Sequence, residues 1–443
     1  MVDDRLVFGL DVGTTKVCAI IGEVNPEGTL DVIGMGMAPS LGMRKGMVVD
    51  LERTARAVVQ AVDRAQRMAG VEMGPVYLGV AGGHIMSTNS HGVVAVSRAD
   101  REVMSADVDR VLEGARAIAL APDREVLHVL PREFVLDGCP GIRDPIGMSA
   151  TRLEAYVHIV TGAIAALDNV VKSVQRAGVD VADIVLEPLA SGDACLTPDE
   201  KELGAVLVDI GGGTTDVAVF HEGSIWHTAI IPVGGNNITS DLAYGLKVAI
   251  PEAERLKVQL GIGPFGRRSG AAWEAPEPAA FTPGARTAGA GAQGQADFTA
   301  LAAGAGGGFG EDLYLKAQSI IKPRVEEIFG LVRREIEKAP HPVGYPTGCV
   351  VSGGTSLLPG LLAMAQAVTE LPARVGYPRG VGGLVDVVDS PVYATAVGLL
   401  LYARSESGQA QREIAVASEG PMGWWQAVGD KVLRWIKGFG ARR

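Results

Sequence analysis

Short segments rich in apolar residues alternate with glycine-containing turns at the start of the chain, and the same arrangement recurs about two hundred residues later. Three predicted strands cover residues 6–11, 16–24 and 29–37, and three more cover 205–210, 216–221 and 224–232. An amphipathic helical pattern follows each set, at 51–68 and from Asn236 or Asn237 toward Tyr244. A strand, glycine turn, strand, strand and helix unit that occurs twice predicts two similar domains facing one another.

Two stretches do not fit this repeat. Residues 86–161 mix strand-like runs with a helical pattern at 105–118, and the first unit resumes afterwards with a helix at 162–177 and a strand at 181–186. We therefore expect an inserted subdomain there. Residues 262–310 contain 12 glycines, few charges and no apolar periodicity, which predicts a flexible loop.

The rest of the chain alternates helices with short strands. A long helical pattern at 311–338 is expected to break or kink near Pro323, a strand follows at 349–352, a helix at 357–368 and a final helix at 391–402. The expected organisation is a first domain core at 1–85 and 162–195, the insertion at 86–161, a second domain core at 196–231 and 311–403, an outer subdomain at 232–310, a polar linker at 404–421 and an amphipathic helix at 422–443.

Composition and charge exclude several classes of protein. The 443 residues carry a formal charge of −11, and an acidic balance argues against nucleic-acid binding over the whole surface, because phosphate neutralisation needs clustered Lys and Arg. The four cysteines form no CxxC pair and are expected to be isolated buried thiols: Cys18, Cys139, Cys195 and Cys349. The first residues do not resemble a secretory signal, and no apolar run approaches the ~18 residues of a membrane span. We expect a cytoplasmic protein.

The paired hairpins carry the clearest chemistry. In each, a strand ends in an aspartate, Asp11 or Asp209, and a turn of Gly and Thr leads into a second strand. Backbone N–H groups and hydroxyls of such turns can bind phosphate oxygens, and a neighbouring carboxylate can hold Mg²⁺ through water. The sequence has no Gly-Lys dipeptide, so a Walker-type phosphate loop is excluded. The predicted phosphate-binding residues are Gly13, Thr14, Thr15 and Lys16 in the first turn and Gly211, Gly212, Gly213, Thr214 and Thr215 in the second.

Three further segments fit the same site. Glu187 ends a strand before a helix and could orient or deprotonate water, although a glutamate that starts a helix beside Pro188 is the structural alternative. Gly353 and Gly354, between a strand and a helix, would allow a base and sugar close to the backbone. Glu254 and Lys257 could hold the ribose and base edge, although an i, i+3 ion pair explains them equally well. Gly235 is assigned to the same ATP site.

Taken in order, these segments resemble the nucleotide-binding set of the superfamily that contains actin, DnaK-type chaperones and sugar kinases. The matching segments are FGLDVGTTK, LEPLASG, VDIGGGTTD, VSGGTS and SPVYATAVGLL, and they extend from about Val7 to Tyr402. The resemblance implies an α/β, actin-like fold of two ribonuclease-H-like domains with ATP and Mg²⁺ in the cleft between them.

The position of the insertion indicates which family of this superfamily the chain resembles. The extra subdomain of actin and the chaperones enters between the third strand and the first helix, but here residues 38–50 are too few, and the extra material enters after 76–81. That position and the residues 125–162 closely resemble the FtsA family of actin-like bacterial cell-division proteins. Residues 262–310 depart from the family in being longer and less charged.

Membership in that family implies a set of partners and a place in the cell. It implies polymerisation with further copies of the chain, binding of the C-terminal peptide of the tubulin-like FtsZ, and recruitment of other division proteins through the insertion. ATP hydrolysis would be slow or absent. The expected location is the cytoplasmic face of the cell membrane at the division site. Arg324 and Glu327, on the helix at 322–336, are the candidate FtsZ contacts, and solvated surface charges are the alternative.

The tail can be interpreted without the family. Residues 422–443 hold three of the five tryptophans and a net charge of +4, which leaves −15 on the rest of the chain. At 100° per residue its aromatic and aliphatic side chains share one side, which predicts an interfacial helix on anionic lipid, with packing on the body or a partner as the alternative. The predicted membrane-binding residues are Trp424, Trp425, Val428, Lys431, Val432, Arg434, Trp435, Ile436 and Phe439.

Two other functions remain on the same fold. A sugar or acetate kinase would need a second set of His, Asp or Arg residues beside the phosphate turns, and the sequence shows none. The pilus-assembly ATP-binding protein PilM would share the fold but would not explain the basic aromatic tail.

Overall fold

The computed structural model describes residues 5–262, 309–340 and 346–414. The predicted flexible loop lies outside the described residues except at its two ends, and the predicted amphipathic helix at 422–443, with its nine membrane-binding residues, lies outside them entirely.

The first half of the chain alternates strands with helices and contains the insertion. Before the insertion come β1 (Leu6–Val12), β2 (Lys16–Val24), β3 (Leu30–Pro39), β4 (Met43–Arg44), β5 (Met47–Val48), α1 (Leu51–Ala69) and β6 (Val76–Val80). The insertion consists of β7 (Ile85–Ala95), α2 (Ser105–Arg116), β8 (Arg124–Leu136), β9 (Cys139–Ile142) and β10 (Arg152–Ala163). After it come α3 (Ile164–Arg176), β11 (Val181–Leu186), α4 (Glu187–Cys195) and α5 (Pro198–Leu203).

The second half repeats the strand pattern. Its elements are β12 (Ala205–Ile210), β13 (Thr215–His221), β14 (Ser224–Ile231), α6 (Gly235–Leu246), α7 (Ile250–Leu260), α8 (Phe309–Lys338), β15 (Gly348–Ser352), α9 (Leu361–Thr369), β16 (Ala373–Val375), β17 (Gly382–Gly383), α10 (Val385–Val388) and α11 (Ala394–Ile414). Short 3₁₀ turns occupy Gly354–Leu357 and Pro391–Tyr393.

The two main sheets have the same topology. The strand order is β3-β2-β1-β6-β11 in the first half and β14-β13-β12-β15-β16 in the second. In both sheets the first three strands are antiparallel and the last two run parallel to the central strand. An identical order in two segments of one chain confirms the duplicated α/β fold.

Helix α1 shows how the local sequence sets an element. Asp50 caps its start by accepting a hydrogen bond from the Arg53 N–H, and Gly70 ends it in a left-handed conformation with φ of 72°. Its apolar face packs on β3, where a Cβ on Gly36 would lie 1.9 Å from the carbonyl oxygen of Ala61. Only glycine allows the helix to approach the sheet so closely.

Strand β17 and residues 394–403 of α11 pack with the first half, although the sequence expectation assigns 311–403 to the second. Strand β17 pairs in parallel with β3 as the sixth strand of the first sheet. Residues 394–403 of α11 bury their side chains among the strands of that sheet, and the helix rests on α4, where a Cβ on Gly398 would lie 1.9 Å from the Ala190 carbonyl oxygen. This part of the helix is apolar on all sides and therefore has to be buried.

Two helices differ in extent from the sequence expectation. Helix α8 runs through Pro323 without a break, because buried residues on both sides of the proline, including Ile321 and Val325, hold it on the second sheet. Packing of this size outweighs the ~3 kcal/mol cost of an internal proline. Helix α11 does not end near Tyr402 but continues to Ile414, so part of the expected linker is helical. In the described parts of the chain, no helix has both the length and the apolar character that a membrane crossing requires.

The insertion is a small α+β unit with its own core. Its sheet has the order β7-β10-β8-β9, and α2 packs on it through Val108, Val111 and Leu112. Cys139 lies exposed on β9, so the expectation of buried cysteines is wrong there, while Cys18, Cys195 and Cys349 are buried and unpaired as expected.

The insertion also contacts the second half. The buried His158 ring lies within hydrogen-bond distance of Asn89 Oδ1 (2.7 Å) and of Thr228 Oγ1 on β14 (2.8 Å), and Ser87 Oγ donates to the Thr228 carbonyl at 2.8 Å. The Arg132 guanidinium stacks on the Trp226 ring at 4.6 Å. Burial and the neighbouring His227 and Arg132 lower the pKa of His158 to about 3, so its ring is neutral in this interface. The insertion therefore bridges the two halves.

Candidate nucleotide-binding site

The two glycine turns have the same backbone geometry and lie against each other. Each is closed by one hydrogen bond, from the Gly13 N–H to the Lys16 carbonyl and from the Gly211 N–H to the Thr214 carbonyl, both at 3.0 Å. A Cβ on Gly213 would lie 2.6 Å from Thr14 Oγ1, and one on Gly212 would lie 2.6 Å from Thr15 Oγ1. The backbone N–H groups and hydroxyls of both turns are thus concentrated at one place between the two sheets.

In the first turn, the carboxylate is held by an ion pair. Asp11 is buried, and the Lys16 ammonium donates to its Oδ2 at 2.8 Å. Burial alone would lower the pKa of Lys16, but the charges of Asp11, Cys18 and Asp209 together raise it above its usual value. Lys16 is therefore a permanent cation whose charge is already matched by Asp11.

In the second turn, the carboxylate is held by hydroxyls. Asp209 accepts hydrogen bonds from Ser191 Oγ at 2.8 Å and from Thr395 Oγ1 at 3.4 Å. Burial and the charge of Asp11 raise its pKa to about 6, against the opposing effects of the Ser191 hydroxyl and Lys16. Asp216 stands opposite Asp209 in the β12–β13 register, and its buried Oδ1 atom has no hydrogen-bond partner in the described part of the chain. Burial, Asp209 and Asp11 raise the pKa of Asp216 well above its usual value.

Glu187 lies in the same group of carboxylates. It is the first residue of α4, followed by Pro188, so the helix-initiating interpretation describes its position correctly. Burial and the charges of Asp11, Asp216 and Asp209 raise its pKa well above the usual range. A raised pKa in a carboxyl group beside other carboxylates is also typical of a catalytic group, so the role of Glu187 as a general base stays a prediction.

These residues fit a hydrated magnesium ion. The carboxyl groups of Asp209, Asp216 and Glu187 have raised pKa values beside one another, and Asp216 has an orphaned oxygen, which is a surplus of negative charge and of acceptors that a divalent cation would relieve. No group of three or more His, Cys, Asp or Glu side chains in the described residues is arranged to ligate a metal directly. Asp11 and Asp209 would therefore hold Mg²⁺ through its waters, which suits an ion that dehydrates reluctantly.

The remaining predicted residues surround the second turn. Gly353 has φ of 80°, and a Cβ there would lie 2.3 Å from Asp209 Oδ1, so no other residue fits. The Gly235 N–H, at the start of α6, donates to the Gly211 carbonyl at 2.9 Å. A Cβ on Gly354 would come no closer than 3.9 Å to another residue, which leaves its surface open.

Glu254 and Lys257 form the expected i, i+3 ion pair, at 2.8 Å. The Lys257 ammonium is buried and also donates to Thr239 Oγ1 at 3.0 Å and to the Gly235 carbonyl at 3.3 Å. Burial lowers the pKa of Lys257, against the charge of Glu254. The pair is thus structural and at the same time lies beside the second turn.

Several residues of the site were not predicted. Asp216 is the last residue of VDIGGGTTD and follows Asp209 by seven positions, as Cys18 follows Asp11, so the repeat contained a signal for it. Ser191 and Thr395 lie in the matched segments LEPLASG and SPVYATAVGLL, but neither was singled out, because they come together only where α4 and α11 pack on the second turn. Thr355 Oγ1 donates to the Gly211 carbonyl at 3.2 Å, and the Gly46 N–H donates to Thr14 Oγ1 at 3.0 Å.

Arg324 and Glu327, the predicted partner contacts, lie far along the chain from these turns, on α8. Arg324 Nε donates to Asp241 Oδ2 on α6 at 2.6 Å, and its guanidinium also pairs with Glu327. Arg324 therefore joins α8 to α6, and Glu327 is exposed beside it.

Comparisons with known proteins were made by sequence and by structure. The family model described as "SHS2 domain inserted in FTSA" matches residues 82–161, and the one described as "Cell division protein FtsA" matches 206–398. The chain is 41% identical over 436 residues to the cell division protein FtsA of Pseudomonas aeruginosa, with 98% of each chain covered, and 36% identical over 431 residues to that of Escherichia coli, with 96% of each covered.

Solved structures support the fold. The PilM-PilN type IV pilus biogenesis complex matches with a TM-score of 0.60 at 14% identity, covering 90% of this chain and 98% of that one. MreB 5 of Spiroplasma citri bound to AMPPNP matches with a TM-score of 0.51 at 14% identity, covering 93% and 99%. At such low identity these two likenesses show the actin-like fold and no more.

Proposed function

The chain belongs to the FtsA family of cell division proteins, and on that premise we propose that it binds ATP with Mg²⁺ between its two glycine turns and polymerises as an actin-like filament. The observation that carries the nucleotide proposal is the contact between the two turns, Gly212 and Gly213 against Thr15 and Thr14, beside a group of buried carboxylates. When bound, the metal would supply charge neutralisation at the phosphates.

The chain's own residues have defined roles in this proposal. The N–H groups and hydroxyls of the turns bind phosphate oxygens, Asp11 and Asp209 orient the hydrated ion, and Gly353 and Gly354 leave room for the adenosine. Glu187 is the group that would accept a proton from water. The neighbouring carboxylates raise the pKa of Glu187 and so favour its protonated form, which cannot accept a proton from water. We therefore expect hydrolysis to be slow.

Titration of the purified chain with a fluorescent ATP analogue, with and without Mg²⁺, tests this site. We expect binding that depends on the metal and that is lost in Asp209→Ala. A variant that binds MgATP like the wild type would refute the assignment.

We further propose that the protein tethers FtsZ filaments to the cytoplasmic face of the cell membrane at the division site. The tail supports this, since five basic residues near an anionic surface at ~1 kcal/mol each give roughly 5 kcal/mol, and polymerisation would multiply the attachment. Vesicle flotation should compare the full chain with one ending at Ile414, which keeps α11 whole. Equal flotation of the two proteins would exclude the tail as the anchor.

The outer subdomain together with the helix around 322–336 is the proposed FtsZ-binding region, with Glu327 on that helix as the exposed candidate. Co-sedimentation of Glu327→Gln with FtsZ tests it against Glu326→Gln, a matched change on the same helix. With intact FtsZ, we expect Glu327→Gln to lose binding and Glu326→Gln to keep it. With FtsZ that lacks its last residues, we expect no form of the protein to bind. Binding that does not depend on those FtsZ residues would argue against a division role of this kind.

We also propose that the insertion recruits other division proteins. Electron microscopy of the protein on a lipid monolayer with ATP would reveal the filaments.

A further inference from the structure

The β4–β5 hairpin is attached directly to the first phosphate turn. Its strands pair Met43 with Val48 and Arg44 with Met47, so Lys45 and Gly46 form a two-residue turn. The Gly46 N–H donates to Thr14 Oγ1 at 3.0 Å, and a Cβ on Gly46 would lie 2.4 Å from the Ala81 carbonyl oxygen. The hairpin tip is thus fixed between Thr14 and the end of β6.

Lys45 occupies a position that the backbone does not favour for lysine. Both turn residues have positive φ, 50° at Lys45 and 73° at Gly46, which is the type I′ turn in which Asn, Asp or Gly is preferred at the first position. A left-handed lysine costs roughly 1 kcal/mol. Its side chain is exposed, and no ion pair or hydrogen bond involves it within the described parts of the chain. Among the residues that the structure describes, no contact of this side chain compensates the strain of placing lysine there.

The site needs a cation that is not already paired. It contains the buried carboxyl groups of Asp11, Asp209 and Asp216, and the Lys16 ammonium is bound to Asp11 while the Lys257 ammonium is bound to Glu254. A triphosphate would add several negative charges to this surplus. Lys45 precedes Gly46, whose N–H bonds Thr14, so an unpaired ammonium on its long, flexible side chain would supply opposite charge near the first turn.

The order of contacts places Lys45 at one end of the site. Thr355 and Gly235 of the adenosine side contact Gly211, then Gly212 contacts Thr15, Gly213 contacts Thr14, and Thr14 contacts Gly46. A nucleotide that follows this order has its terminal phosphate nearest to the hairpin. We propose that the Lys45 ammonium binds the terminal phosphate of ATP and makes the site distinguish ATP from ADP. This rests on the proposed nucleotide function.

The test is competition binding of ATP and of ADP, both with Mg²⁺, to the full chain. In Lys45→Asn the charge is lost while the turn gains a favoured residue, so thermal stability should be equal or higher. The Kd for ATP should rise about tenfold, the loss expected for one charge-assisted contact, while that for ADP changes by less than about twofold. Lys45→Arg should keep the preference for ATP.

Lys247 offers a matched control. It is also an exposed lysine with positive φ, 56°, at the end of α6, and Lys247→Asn should change the affinity for neither nucleotide. Unchanged ATP affinity in Lys45→Asn, or an equal loss for both nucleotides, would overturn the inference and leave the proposed function intact. A wild-type chain that binds neither nucleotide would overturn both.

Discussion

The two glycine turns share a topology, a closing hydrogen bond and an aspartate at the same position, yet each buried carboxylate is neutralised differently. Asp11 has an ammonium at 2.8 Å and the thiol Cys18 opposite it in the register, whereas Asp209 has two hydroxyls and the carboxyl of Asp216 opposite it. The first turn is therefore balanced in charge within the protein. The second carries a surplus of negative charge that a proton or a bound cation can balance.

This difference assigns different tasks to the two halves. A balanced turn is stable without ligand and can present its N–H groups to phosphate at any time. In the unbalanced turn the carboxyl groups of Asp209 and Asp216 repel each other, and a bound cation would reduce this repulsion. Ligand binding should therefore stabilise the second half more than the first.

The largest expected effect comes from removing the internal cation of the first turn. Lys16→Met leaves Asp11 buried without its partner, and we expect the free energy of unfolding to fall by about 3 kcal/mol. Equilibrium urea denaturation without nucleotide measures it. Lys172→Met removes an exposed lysine that pairs with Asp168 at 3.5 Å and should cost less than about 0.5 kcal/mol. Similar losses in the two variants would show that Asp11 does not depend on Lys16.

A pH dependence comes next and concerns the second turn. The pKa of Asp209 is about 6 in the folded protein, above the ~3.9 expected when unfolded. Its protonation therefore contributes stability that is complete below about pH 4 and is lost as the pH rises through about 6. Relative to Asp209→Asn, the wild type should lose on the order of 2 kcal/mol between about pH 4 and 7 in EDTA. A constant difference between the two proteins would contradict the raised pKa, and added Mg²⁺ should reduce the loss.

The residues opposite each aspartate should respond with opposite signs. Asp216→Asn removes one of the repelling carboxyl groups, and we expect the free energy of unfolding without metal to rise by about 1 kcal/mol. Cys18→Ala, at the equivalent position, removes a buried sulfur and should lower it by about 1 kcal/mol. Chemical denaturation in EDTA measures both, and a loss of stability in Asp216→Asn would show that its carboxyl is satisfied inside the protein.

The smallest effect concerns one hydroxyl. Ser191→Ala removes the 2.8 Å hydrogen bond to Asp209 but leaves the one from Thr395, so we expect a loss of about 0.7 kcal/mol. Ser173→Ala, whose hydroxyl bonds the Asn169 carbonyl within α3, should cost less. If Ser191→Ala lowered the free energy of unfolding as much as Lys16→Met, the two aspartates would not differ in how strongly they depend on their partners.

The two phosphate turns are the part of the site that the sequence predicts most directly, because their pattern occurs twice in the chain. Asp11, Asp209 and the glycines around them occur in two similar strings, so their shared geometry could be inferred from either copy. Ser191, Thr395 and Gly46 occur once, and they reach the turns through helix packing and a hairpin that no local pattern links to Thr14. Long-range proximity of this kind depends on the whole fold.

The same limit applies to the domains. The apolar pattern of 391–402 predicts a buried helix, but a helix that is apolar on every side does not indicate which sheet receives it. The three strands and the helix of each repeat were predictable because period and turn residues are local signals.

The burial of α11 in the first half has a consequence for synthesis. A chain made from its N-terminus has all five strands of the second sheet once residue 375 has appeared, but the core of the first half still lacks Ala394, Val397 and Leu400. Domains that emerge early usually fold early. In this protein the core of the first half is complete only when α11, much later in the sequence, has been synthesised. The domain that leaves the ribosome first is therefore the last to be completed.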